Sequence, residues 1–69
     1  MNRKEISRRL VQLRGNKTQE EVARAISVSV SAIGMYESGQ RIPRDEIKKK
    51  ISDYYKCSVE EIFFNEKVH

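Results

Sequence analysis

Residues 19–38, QEEVARAISVSVSAIGMYES, constrain this chain more than any other stretch. Val22 and Ile26 stand four apart, Ile33 and Tyr36 three apart, and Val28 falls between the two pairs. Spacings of three and four put each pair on one helical face. Ser27-Val28-Ser29 between them leaves room only for a corner, with Val28 as its plug and small Ala23 where the helices cross. The pattern predicts two short helices, the first bracing the second, whose outer face is left to meet something else.

Start and stop signals extend this pair to five helices. Asn2 and Glu5 form a capping box, with Met1 and Ile6 as its hydrophobic staple; Ile6, Leu10 and Leu13 then carry helix 1 to about Leu13. Thr18 and Glu21 box the start of helix 2, which runs from Gln19 to about Ile26. Ser29 caps helix 3, and Gly39 ends it as a left-handed C-cap. Asp45 and Glu46 occupy the first turn of helix 4, where the helix dipole favours acids, and Ile47, Ile51 and Tyr54 or Tyr55 mark its buried stripe. Ser58 with Glu61, stapled by Cys57 and Ile62, opens a short helix 5 carrying Val59, Ile62 and Phe63. Nothing alternates with period two for long enough to argue for a sheet. The expectation is an all-α domain over residues 1–64 with a loose tail at 65–69.

Sixty-nine residues support one thin core, burying roughly 60% of the unfolded surface, with little room for an enclosed active site. One cysteine cannot form an internal disulfide, and there is neither a signal-peptide core nor a membrane-length apolar run. A soluble cytoplasmic protein is expected. The net charge of +4 is unevenly placed. Residues 1–17 hold Arg3, Lys4, Arg8, Arg9, Arg14 and Lys17 against Glu5 alone. Arg41, Arg44, Lys48, Lys49 and Lys50 form a second basic group against Asp45 and Glu46. The second helix of the corner thus lies between basic flanks. This arrangement suits a helix-turn-helix whose flanks clamp phosphates while its outer helix touches bases.

The run TQEEVA…SVS…I…YESG…IP resembles the phage-repressor and Cro-like helix-turn-helix domain of the XRE family, from about Ile6 to Phe63. Gln19, Ala23, Tyr36-Glu37-Ser38-Gly39, Pro43 and the closing SVEEIF at 58–63 carry the likeness. It implies a compact five-helix, lambda-repressor-like DNA-binding domain. Two features depart from the family. Its usual corner glycine is Ser27, and the outer positions of helix 3, where the family often has Arg, Gln or Asn, are Val30, Ser31, Ala32, Gly34 and Met35. Specificity here would lean on thymine methyls and DNA shape.

By this resemblance Gln19 anchors the start of helix 2 to a phosphate, helped by the helix N-terminus. Arg41 and Arg44 grip the backbone from the loop after helix 3, and Arg14 and Lys17 do so from the helix 1–2 turn. Ser29, Val30, Ser31, Gly34 and Met35 are the base-reading candidates, Gly34 by allowing close approach. Lys48, Lys49 and Lys50 are expected on a solvated face, Glu37 paired with a scaffold arginine such as Arg9, and Cys57 as a buried hydrophobe.

Catalysis finds no support: no histidine lies within the fold, and Glu20-Glu21 and Glu60-Glu61 are explained as helix-start residues. His69 has no partner at metal-ligand spacing, and no metal or cofactor is expected. Tyr54, Phe63 and Phe64 suggest a homodimer contact, which would set two reading helices about 34 Å apart on duplex DNA. The reading is a sequence-specific repressor acting on an inverted-repeat operator. Its rival is a protein-interaction module of the same fold, such as an antitoxin or anti-repressor.

Overall fold

A computed structural model describes residues 2–64, and five helical elements account for most of them. They are α1 (Arg3–Arg14), α2 (Gln19–Ile26), α3 (Val30–Glu37), α4 (Asp45–Tyr55) and a short closing turn, α5 (Glu60–Phe64). No strand occurs among the described residues. Met1 of the expected staple and the tail at 65–69 lie outside them.

The caps form as their residue types require. The Asn2 side chain accepts from the Glu5 N–H at 3.2 Å. At α2 both halves of the box are made: Glu21 N–H donates to the Thr18 hydroxyl at 3.0 Å and Thr18 N–H to the Glu21 carboxylate at 2.8 Å. Ser29 accepts from Ala32 N–H at 3.0 Å. Ser58 and Glu61 repeat the reciprocal pattern at 3.0 and 3.2 Å. Each cap satisfies N–H groups that a helix start leaves without intrahelical partners.

The corner between α2 and α3 is tight because Ser27 adopts the left-handed conformation, φ 59° and ψ 49°. Its N–H closes onto the Ala23 and Arg24 carbonyls, and Val28 N–H bonds to Ala23 at 3.0 Å. Gly39, at φ 79°, turns the chain after α3, where a Cβ would stand 3.6 Å from the Arg3 carbonyl and 3.8 Å from the Ser7 hydroxyl. α3 packs against both α1 and α2, α2 also meets α4, and α1 meets α5. Ile6, Leu10, Val22, Ala23, Ile26, Ile33, Tyr36, Ile51, Ile62 and Phe63 form the one core that these contacts enclose.

The short closing helix forms as expected, as a single turn of π-helix, and two other expectations are corrected. The wider i→i+5 turn brings consecutive side chains nearer to one face, so Ile62 and Phe63 both enter the core. Phe63 is therefore 1% exposed, the largest of the fully buried side chains, and cannot reach a second copy of the chain. Phe64, 48% exposed, can.

Lys48 is the second correction. Instead of joining Lys49 and Lys50 in solvent, it is only 6% exposed. α5 folds across its side chain, and the ammonium lies 5.8 Å from the Phe63 ring centre and 5.2 Å from that of Phe64. Asp45 Oδ1 is 3.4 Å away. A lysine stem can cover apolar surface while its head finds ring faces and a carboxylate, which is how a cation is tolerated here.

Candidate nucleic-acid interface

At about 100° per residue, Val30, Ser31, Gly34, Met35 and Ser38 share one face of α3, and Ile33 and Tyr36 share the other. Burial follows that division. Ile33 and Tyr36 are in the core, Val30, Ser31 and Ser38 are exposed, and Gly34 and Met35 are half-buried. Four of the five base-reading candidates, Val30, Ser31, Gly34 and Met35, are thus on one surface, with the fifth, Ser29, exposed at the helix start. The Ser29 oxygen is engaged as the cap, which leaves its hydroxyl hydrogen as a donor. No side chain of this face is charged. Its offerings are the Val30 methyls, the Met35 thioether and small hydroxyls.

The start of α2 lies beside this face. A Cβ added at Gly34 would stand 4.0 Å from Gln19 Oε1, so the missing side chain leaves room for the Gln19 amide. That amide is held from the other side: Gln19 Nε2 donates to Glu37 Oε1 at 2.9 Å. Arg14 Nε donates to Glu37 Oε2 at 2.8 Å, and Arg14 Nη1 to the Lys17 carbonyl at 2.7 Å. The Glu37 side chain is 7% exposed with both oxygens engaged, so its charge is largely masked from the outer surface. Glu37 is a scaffold residue, as the sequence led us to expect, but its partner is Arg14 and not Arg9. Arg9 instead reaches Glu5 and the Ile62 carbonyl, each at 2.8 Å, because its side of α1 faces α5.

The same network shifts two protonation equilibria. The hydrogen bond to Glu37 raises Arg14 above the ordinary guanidinium value. Burial, and secondarily the Glu37 charge, push the Tyr55 phenol up to about 12.

The remaining basic candidates divide by location. Arg41 and Arg44 are exposed in the loop between α3 and α4 and line a groove of about 380 Å³ with Ser27, Ala32 and Ile47. Gln40 and Arg41 N–H groups both bond to the Met35 carbonyl, at 3.0 and 3.3 Å, which ties the start of this loop to the end of α3. Lys17 is exposed in the α1–α2 turn with its ammonium 6.0 Å from the Tyr54 ring centre. Tyr54 in turn stands edge-on to Tyr55, with ring centres 5.0 Å apart, so its ring already has two neighbours within the chain.

Sequence reasoning missed the bond from the Gln19 amide to the Glu37 carboxylate and the pair at the end of α3, where Gln40 Nε2 donates to the Ser38 hydroxyl at 2.9 Å. The isolated acid on an otherwise uncharged helix was the available signal for the first. Ser38 at the next turn of the Ser31 face was the signal for the second.

The internal space bounded by Leu10, Ile33, Glu37, Ile51 and Tyr55 is about 10 Å³, the scale of one water molecule. Among the described residues no group of His, Cys, Asp or Glu could hold a metal ion, and no helix is long and apolar enough to cross a membrane.

Comparison with known proteins agrees with this geometry. The family described as Helix-turn-helix (HTH_3) matches residues 6–62. The HTH-type transcriptional activator BcrR of Enterococcus faecalis is 36% identical over 66 residues, which cover 93% of this chain and 32% of the relative. The chain therefore spans about a third of that relative's length. No solved structure matches the chain significantly. The matched family is one of DNA-binding regulators and is non-enzymatic. With five helices among the described residues, a tight α2–α3 corner and a family match spanning almost the whole fold, the chain belongs to the HTH_3, XRE-type helix-turn-helix family, with the lambda-repressor-like fold.

Proposed function

We propose that this chain is a cytoplasmic transcriptional regulator that reads duplex DNA through the outer face of α3. The carrying observation is that face itself: an uncharged surface, with exposed Arg41 and Arg44 in the loop that follows α3 and exposed Lys17 in the α1–α2 turn. Flanking cations supply the phosphate affinity, and the face between them meets base edges. Gln19 joins the phosphate contacts at the α2 N-terminus. Arg14 serves mainly by holding Glu37 and the Lys17 carbonyl, so the grip rests on Gln19, Lys17, Arg41 and Arg44. With Val30 and Met35 in place of long amides or guanidinium groups, thymine methyls and groove shape carry much of the sequence preference.

The protein acts as a homodimer on an inverted repeat, with Phe64 at the contact and Tyr54 at its margin. Two copies would place their α3 helices about 34 Å apart, one turn of duplex. Occupying a promoter in this way is enough to exclude polymerase, and repression is the sign we assign. The relative carries the name of an activator, and a promoter–reporter fusion decides between the two signs.

The uncharged α3 face also favours a second reading, in which it docks on a protein, as an antitoxin or anti-repressor would. Selection of bound duplexes from a random pool at near-physiological salt separates the two. Enrichment of an inverted repeat with half-sites one turn apart supports the dimeric operator reader. A pool that stays random with folded protein refutes it and favours the protein partner.

A further inference from the structure

Glu37 is an unexpected residue to find beneath a surface that meets a polyanion. Its carboxylate nevertheless sits between α1, α2 and α3 and accepts from Arg14 with one oxygen and from Gln19 with the other. A carboxylate only accepts, so it fixes which end of the Gln19 amide turns inward: Nε2 must face Glu37. An amide nitrogen has two hydrogens. One is consumed by Glu37, and the second is left in a set direction as a donor. Oε1 is turned toward bare Gly34, where no side chain displaces it.

We infer that Glu37 is a positioning residue for DNA binding: it fixes the Gln19 amide so that its free N–H is presented to a backbone phosphate before DNA arrives. The inference rests on Gln19 as a phosphate contact. A free glutamine samples many rotamers and both amide orientations, one of which would turn a carbonyl oxygen toward phosphate. Glu37 removes those states in the unbound protein, so less ordering is left to occur on binding. Arg14 completes the device from α1 by holding the other carboxylate oxygen and neutralising its charge. Thus α1, α2 and α3 all converge on the one amide that α2 offers to DNA.

The sign of one substitution separates this role from simple electrostatics. Removing a carboxylate near DNA raises affinity if charge alone matters. In Glu37→Gln, Arg14 Nε requires the new amide oxygen, so the new NH2 faces Gln19. Two donors cannot bond, and the Gln19 amide must turn over. Affinity then falls despite the lost negative charge.

The test is fluorescence anisotropy on the duplex recovered by selection, with Gln19→Ala, Glu37→Gln and the double variant beside the parent. Thermal melts establish that each is folded at the assay temperature. Gln19→Ala should lose about tenfold or more in affinity, the scale of one hydrogen bond to a charged group. Glu37→Gln should lose a similar factor, and the double variant little beyond either single one. Undiminished binding by Gln19→Ala overturns the phosphate contact and the inference with it. Loss in Gln19→Ala with equal or tighter binding by Glu37→Gln overturns the inference alone. A further measurement needs no variant: in the free protein, the inward Gln19 amide proton should be shifted downfield and slow to exchange in NMR spectra. An amide pair like that of a solvated glutamine overturns the inference.

Discussion

Ser27 holds the α2–α3 corner in a conformation that a side chain resists, and replacing it with glycine should stabilise the protein. At φ 59° and ψ 49° the Cβ crowds its own carbonyl, a cost of about 1–2 kcal/mol for an L-residue. Glycine removes that cost but gives the unfolded chain more freedom, returning about 0.4–1 kcal/mol. The two backbone bonds from the Ser27 N–H, to Ala23 and Arg24, remain available to glycine, and the Ser27 side chain is exposed. The net gain is about 0.5–1 kcal/mol, which for a domain of this size raises the melting midpoint by about 2–8 °C. Ser27→Ala keeps a Cβ in the same region and should stay near the parent. Lys56, at φ 60° and ψ 38° after α4, is an internal replicate, and Lys56→Gly should gain similarly. Calorimetry on the three variants and the parent makes the comparison, with DNA affinity as a check that the α3 presentation is unchanged. If Ser27→Gly melts no higher than Ser27→Ala, left-handed strain is not what this corner stores, and the reasoning fails.

Arg41→Ala and Arg44→Ala should each reduce the slope of log affinity against log salt by about 1 while leaving the melt unchanged, and an unaltered slope removes that arginine from the phosphate contacts. Phe63→Ala should cost about 3–5 kcal/mol, enough to unfold much of a domain this small, whereas Phe64→Ala should keep the fold and weaken self-association in sedimentation experiments. Equal loss of fold in both would contradict their burial. Tyr55 gives an alkaline signature. Its folded value of about 12 exceeds the ordinary phenol value near 10, so its protonated form favours folding; that contribution is complete below about pH 10 and is lost as pH climbs toward 12. Melts across that window should fall more steeply for the parent than for Tyr55→Phe, and parallel curves would show that the phenol does not couple to folding.

Much of this molecule is written in short-range sequence. The boxes at Thr18-Glu21 and Ser58-Glu61, the cap at Ser29 and the turn at Gly39 depend on residues within a few positions of each other. Local hydrogen bonding and φ preference therefore account for them without appeal to a distant partner. The three- and four-residue spacing of Val22, Ile26, Ile33 and Tyr36 fixed which faces are buried and left the Val30–Ser31–Met35 face outward. Family membership follows from the same local order of residues.

What the sequence could not fix is which distant partners each long side chain finds. Arg9 and Arg14 are equally plausible partners for Glu37 on paper, because both lie on α1. Only the crossing of α1 over α3 and α5 sends Arg14 to Glu37 and Arg9 to the Ile62 carbonyl. Lys48 looks like any member of a lysine run until α5 lays Phe63 and Phe64 over it. Phe63 and Phe64 are adjacent and chemically identical, and the π-turn together with its docking on α1 decides that one is core and the other surface. Backbone conformation obeys near neighbours, whereas a flexible charged or aromatic side chain is placed by whatever helix arrives from elsewhere in the chain.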